Sequence, residues 1–294
     1  MTNQSRAYSY GLAAVLCWST VATAFKISLS YLSPGQMLLI ASIASSAVLL
    51  VVLWWQGKLA EIKQVSKKQG LISLGFGVLN PTLYYLILFQ AYDLLSAQQA
   101  QAINYTWALT MTLLAVPILG HRLYKQDIAA ALLCYFGVLY IATKGQPWLL
   151  EFDNLDGVVL ALVSTVIWAL YWILNTKDSR PALLGLLLNF IAALPVIITY
   201  CLLNNEIRTM PWQGVASAIY IGAFEMGLAF IFWLKAMKLT NSTAKISNLI
   251  FLSPILSLVL IYLVLGEAIL ASTIVGLGCI LAGLVIQQVQ QKGR

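Results

Sequence analysis

Residues 34–55 read PGQMLLIASIASSAVLLVVLWW, an apolar run of 22 residues without one Asp, Glu, Lys or Arg. As a helix the run is roughly 33 Å long, enough to cross the ~30 Å hydrocarbon core of a bilayer. Its apolar residues are continuous and do not alternate with polar ones, so it does not read as a strand of a membrane barrel. Comparable runs place further spans at 8–27, 70–90, 96–119, 126–143, 156–174, 181–203, 212–234, 241–265 and 270–289. Turn residues punctuate them: Ser33-Pro34-Gly35, Gly145-Gln146-Pro147, Ser179-Arg180-Pro181 and Met210-Pro211. The whole chain of 294 residues is 61% hydrophobic and 9% charged. An ordinary soluble domain is about 25% charged, so neither a water-soluble globule nor a disordered chain fits. The expectation is an all-α polytopic membrane protein with ten transmembrane helices. Ten spans use about 200 residues, which leaves room for short connections.

The net charge of +7 is informative through its distribution. With the N-terminus inside, Arg6, Lys58, Lys63, Lys67, Lys68, Arg122, Lys125, Lys177, Arg180, Lys235, Lys238, Lys292 and Arg294 fall on the inner side. Only Lys26, Lys144 and Arg208 fall outside, a split of 13 to 3. The positive-inside rule then puts both termini in the cytoplasm. The N-terminal run is too long for a signal-peptide core and reads as a retained first span. Cys17, Cys134, Cys201 and Cys279 each lie inside an apolar run, and His121 is the single histidine. These are buried small residues and not a disulfide frame, and no metal site is expected.

The chain also repeats itself. A slide of 146 residues brings Gly120 onto Gly266, Ala130 onto Gly276 and Gly137 onto Gly283. A slide of 145 brings Gln90-Ala91 onto Lys235-Ala236 and Asn80 onto Glu225, and a slide of 150 brings Trp18 onto Trp168. Five spans per copy is an odd number, so the second copy enters the membrane from the opposite side. The expectation is two inverted five-helix repeats, 1–145 and 146–294, the ground plan of many secondary transporters.

Polar groups at membrane depth are costly and usually face a protein interior or a wet cavity. Glu225 lies about 15 Å from the inner end of its span at Lys235, near the midplane. Lys245 sits on the next span, within reach of a neighbouring helix. The carboxylate reads either as a proton-coupled or amine-binding group, or as half of a buried Glu–Lys structural pair. Asn80 precedes Pro81 in mid-span with Tyr84 one turn on, and either supports a kink or meets a ligand. Asn104 and Tyr105 share a face of the fourth span, and Asn248 shares a face with Lys245 on the ninth. Trp18 and Trp168 lie within spans, where aromatic rings either pack or stack on a ligand. Trp54, Trp55, Trp148 and Trp212 lie at span ends, as an aromatic belt explains. Ala130, Cys134 and Gly137, with Gly276, Ala282 and Gly283, read as a close helix contact within or between protomers. The chain has no nucleotide loop, catalytic triad or HExxH pattern, so no enzyme and no cofactor is expected.

Several segments together carry a family resemblance: Leu16-Cys17-Trp18-Ser19-Thr20, Ile167-Trp168-Ala169, the run from Tyr220-Ile221-Gly222 to Phe232-Trp233-Leu234-Lys235-Ala236, and Ser253-Pro254-Ile255 with Leu265-Gly266-Glu267. On these the chain resembles the EamA type of the drug/metabolite transporter superfamily. The resemblance implies ten helices in two inverted repeats around a central cavity in a bacterial inner membrane. Asn104-Tyr105-Thr106-Trp107 further resembles the fourth span of that family's aromatic amino-acid exporters. The chain departs from that branch at Ala108, where proline is common, and near Ser42, where an arginine is common. The expected function is secondary transport of a small metabolite by alternating access, with export of amino acids, aromatic ones included, as the leading class. The alternative is a multidrug or purine/nicotinamide-type metabolite transporter of the same fold. The expected substrate-binding groups are Trp18, Asn80, Tyr84, Asn104, Tyr105, Trp168, Glu225, Lys245 and Asn248. The expected partners are the small-molecule substrate, coupled protons as a candidate, and the lipid bilayer, with no nucleic acid.

Overall fold

The computed structural model describes residues 2–241, 246 and 248–292, with side chains through 287. Ten principal helices follow one another: α1 (Asn3–Leu29), α2 (Pro34–Trp55), α3 (Lys67–Leu94), α4 (Ala97–Leu119), α5 (Lys125–Ala142), α6 (Leu155–Asn175), α7 (Ala182–Leu203), α8 (Trp212–Leu239), α9 (Asn248–Leu265) and α10 (Ala271–Lys292). Among the described residues nine are long and apolar enough to cross a membrane, and the apolar stretch of α10 is shorter. No strand occurs among the described residues. The protein is a multi-pass, all-helical membrane protein. The expected span 241–265 includes residues 242–245 and 247, which lie outside the described residues.

Local chemistry sets the helix ends. Ser33 caps α2 in a reciprocal box with Gln36, and Pro34 sits in the first turn, where its missing N–H costs nothing. Gly120 and Gly266 end α4 and α9 at φ +71° and +67°, the left-handed backbone that a glycine adopts without strain. These two glycines are the pair that the 146-residue slide superposes.

The helices group into two compact units that interleave the chain. The first holds Met1–Phe89 and Ser179–Leu260, which takes in α1, α2, α7, α8 and most of α3 and α9. The second holds Gln90–Asp178 and Ile261–Arg294, with α4, α5, α6 and α10. Each unit therefore draws helices from both halves of the sequence.

In the first unit α8 packs against α1 and α2, and α7 packs against α2 and α3. Gly222 makes the α2–α8 approach possible, because a Cβ there would collide with the backbone carbonyl of Ala41. Gly77 does the same for α3 against the Asn189 carbonyl of α7. Phe25 and Phe89 meet edge to face at 4.8 Å in the core of this unit. In the second unit α5 and α10 make the closest pair. A Cβ on Gly137 would stand 2.5 Å from the Gly276 carbonyl, and one on Gly283 would stand 2.5 Å from Cys134 Sγ. The small residues thus join two helices within one unit, although Ala282 faces outward and is exposed. Trp54, Trp55, Trp148 and Trp212 are all exposed at helix ends or in connections.

Candidate functional site

The first unit carries two breaks in helical geometry. In α3 the backbone widens into π-type turns over Val78–Leu83, with Asn80 at φ −146° and ψ 115° ahead of a cis Asn80–Pro81 bond. Proline removes one backbone donor and crowds the preceding turn, so the break is written in the sequence. In α8 the same widening runs over Ile221–Leu228, around Glu225, with no proline present. Neighbouring helices bond to it and to the residue before it. The Ser45 hydroxyl of α2 donates to the Met226 carbonyl at 3.0 Å, and Thr20 of α1 shares a 2.7 Å hydrogen bond with the Tyr220 hydroxyl. Widened turns of this kind recur at functional sites.

Glu225 is half-buried, and the Tyr85 hydroxyl of α3 donates to its Oε1 at 3.3 Å. Its Oε2 is buried and has no hydrogen-bond partner. Asn80, one turn before Tyr85, is 1% exposed, and its Oδ1 also has no partner. A buried acceptor left unpaired costs about 1–3 kcal/mol, and more for a charged group. Each of these oxygens, beside a broken helix, is a position where a donor-bearing ligand or a proton would be stabilised. Tyr84 is buried and its ring meets that of Tyr85 at 4.7 Å. Trp18 is half-buried between Trp233 at 5.3 Å and Phe230 at 6.3 Å, both on α8. Asn248 is exposed at the start of α9. Lys245 lies outside the described residues.

The second unit holds the remaining candidates. The helix of α4 is interrupted at Tyr105-Thr106, between the stretches Ala97–Asn104 and Trp107–Leu119. Asn104 donates from Nδ2 to the Ser164 hydroxyl of α6 at 3.1 Å. Thr110 of α4 shares hydrogen bonds with Thr165 at 3.1 Å and Tyr135 at 3.2 Å. Trp168 is buried within an aromatic cluster, stacked on Tyr171 at 5.8 Å and edge-on to Trp107 and Trp172. Tyr105 is half-buried at the interruption itself.

The candidates thus gather as Trp18, Asn80, Tyr84 and Glu225 in one unit and as Asn104, Tyr105 and Trp168 in the other. Sequence reasoning missed Tyr85 and Ser164, the residues that hold Glu225 and Asn104. The doubled Tyr84-Tyr85 next to Asn80-Pro81 was the available signal for the first. Ser164 is one of many small hydroxyl residues in spans, and nothing local marks it.

A multi-pass membrane protein whose helices break at buried polar residues has the build of a transporter. Comparison with known proteins makes that specific. The model described as the EamA-like transporter family matches residues 5–143 and again 155–287, so the chain belongs to that family, within the drug/metabolite transporter superfamily. It is a membrane transporter of small-molecule substrates. An uncharacterized transporter of Clostridium kluyveri is 24% identical over 89% of this chain and 85% of its own length. Another uncharacterized transporter, from Archaeoglobus fulgidus, is 23% identical over 92% and 95%. Protein PecM of Dickeya dadantii is 24% identical over 72% and 71%. One solved crystal structure superposes with a TM-score of 0.68 at 20% identity, covering 97% of this chain and 98% of the other. That likeness concerns the fold alone.

Proposed function

We propose that the protein is a secondary transporter of a bacterial inner membrane that exports amino acids, aromatic ones included, by alternating access. The observation that carries the reading is Glu225, a carboxylate in a widened mid-span turn with one oxygen held by Tyr85 and the other unpartnered. Such a group suits the ammonium of an amino acid or a coupled proton. Asn80, Tyr84, Asn104, Tyr105, Trp168, Trp18, Lys245 and Asn248 complete the proposed binding set. Neutral amides orient a polar ligand without the desolvation cost of further buried charges. Aromatic walls select weakly among apolar side chains, by ~1–3 kcal/mol, so the substrate range should be broad.

The test is resistance. Cells overproducing the protein should survive toxic aromatic amino-acid analogues, and Asn104→Leu should abolish that survival at an unchanged protein level. No resistance to any such analogue, with clear flux of purines or cationic dyes, would assign the protein to the other substrate class.

The proposed topology has two inverted repeats, 1–145 and 146–294, and both termini cytoplasmic. The 13-to-3 Lys/Arg split supports it, as do the twofold family match and the matching left-handed glycines Gly120 and Gly266. Reporter fusions after Lys68 and after Gly145 should therefore report opposite sides of the membrane. The same side for both would remove the inverted repeat.

A further inference from the structure

The connection between α2 and α3 plays no part in the reading above, and its chemistry is unusual for this chain. Lys58, Lys63, Lys67 and Lys68 fall within eleven residues, against one acid, Glu61. All four lysines are exposed, and no side-chain ion pair or hydrogen bond holds any of their ammonium groups. Three cations elsewhere in the protein are occupied. Lys144 pairs with Asp153 at 2.7 Å, and Lys235 lies 5.3 Å above the Tyr10 ring. Arg180 is bound by Ser73 and Asn189 and lies over Phe76.

Local structure does not account for the four. Lys67 and Lys68 open α3, where the helix field favours anions and disfavours cations. The amides there are already served by the reciprocal Ser66–Gln69 cap, so what remains is excess positive charge. The apolar surroundings fix the depth. Trp54 and Trp55 close α2 with 67% and 86% of their surface exposed, and Leu71, one turn into α3, is 72% exposed. Exposed tryptophans at a span end sit at headgroup level. The lysines that follow directly are therefore held where phosphate groups lie.

We infer that residues 54–68 form a binding surface for anionic phospholipid headgroups, with Trp54 and Trp55 in the interface and Lys58, Lys63, Lys67 and Lys68 on the phosphates. A cluster of four to eight basic residues beside a span attracts anionic lipid, and each contributes about fivefold in affinity near the surface. The lipid neutralises cations that the helix α3 itself disfavours, so binding stabilises the folded chain. The inference does not depend on what the protein transports.

The experiment uses the full-length protein in neutral phosphatidylcholine micelles, titrated with phosphatidylglycerol while the thermal midpoint is followed. Phosphatidylglycerol should raise the midpoint, and 1 M salt, where the Debye length is about 3 Å, should remove the rise. In Lys63→Gln/Lys67→Gln/Lys68→Gln the half-saturating phosphatidylglycerol concentration should increase on the order of a hundredfold. The midpoint of that variant in phosphatidylcholine alone should equal or slightly exceed that of the wild type, because the α3 N-terminus disfavours cations, and this shows that it folds. A charge-reduced control, Arg122→Gln/Lys125→Gln, should keep the wild-type response. Three results each overturn the inference: a triple variant that responds like wild type, a control that loses the response equally, or soluble glycerol phosphate producing the same rise as the lipid.

Discussion

Glu225→Gln should lower substrate flux about tenfold to a hundredfold in reconstituted vesicles while the melting midpoint stays near that of the wild type. Glutamine keeps the shape of the side chain and an oxygen to accept from Tyr85, but it removes the charge. A hydrogen bond to a charged group contributes roughly 1.5–3 kcal/mol, which corresponds to that range of rate or affinity. Tyr85→Phe should act in the same direction but more weakly, because it leaves Glu225 Oε1 without its donor. The opposed account is a structural Glu–Lys pair. Under it, Glu225→Gln would prevent folding and Lys245→Met would rescue it, since each single change strands a buried partner. Expression, melting and flux measured on the three variants separate the two.

Gly222→Val should clearly destabilise the first unit. A Cβ at this position meets the Ala41 carbonyl, which belongs to the α2 backbone and has no alternative rotamer. The two helices must separate, which also pulls the Ser45 hydroxyl from the Met226 carbonyl. Overpacking of this kind costs about 1–3 kcal/mol and occasionally more. The expected readout is a clearly lower melting midpoint and a lower yield. Gly278→Val is the matched control, because nothing lies within 4 Å of a Cβ at that site. Equal midpoints for Gly222→Val and the wild type would remove the close α2–α8 contact from the account.

The ends of the helices were largely legible in the sequence. The reading of 34–55 coincides with α2, because Ser33, Pro34 and Gln36 write a complete cap into four residues. The broken turn in α3 was legible for a similar reason, since Asn80-Pro81 acts on its own backbone. The widened turn in α8 and the interruption of α4 were not legible. No proline or glycine stands at Tyr105-Thr106, and the α8 turn, with Gly222 and Gly227 but no proline, has its Met226 carbonyl bonded by Ser45 of another helix. Local patterns carry no information about such partners. The interleaving of the halves into two units was hidden for the same reason, because apolar periodicity shows that a helix is buried but not against which neighbour. The residues that hold Glu225 and Asn104 came from those pairings. The candidate polar groups themselves were legible because charge and amide are rare at membrane depth.

If the chain exports amino acids through groups that include Glu225, labelled phenylalanine and tryptophan should leave preloaded proteoliposomes. Release from wild-type vesicles should exceed that from empty vesicles, and an excess of a second hydrophobic amino acid should slow it. Glu225→Gln vesicles, holding the same amount of folded protein, should release label at a rate reduced by at least about tenfold. Release no faster than from empty vesicles, alongside transport of a purine or a cationic dye by the same preparation, would contradict the account.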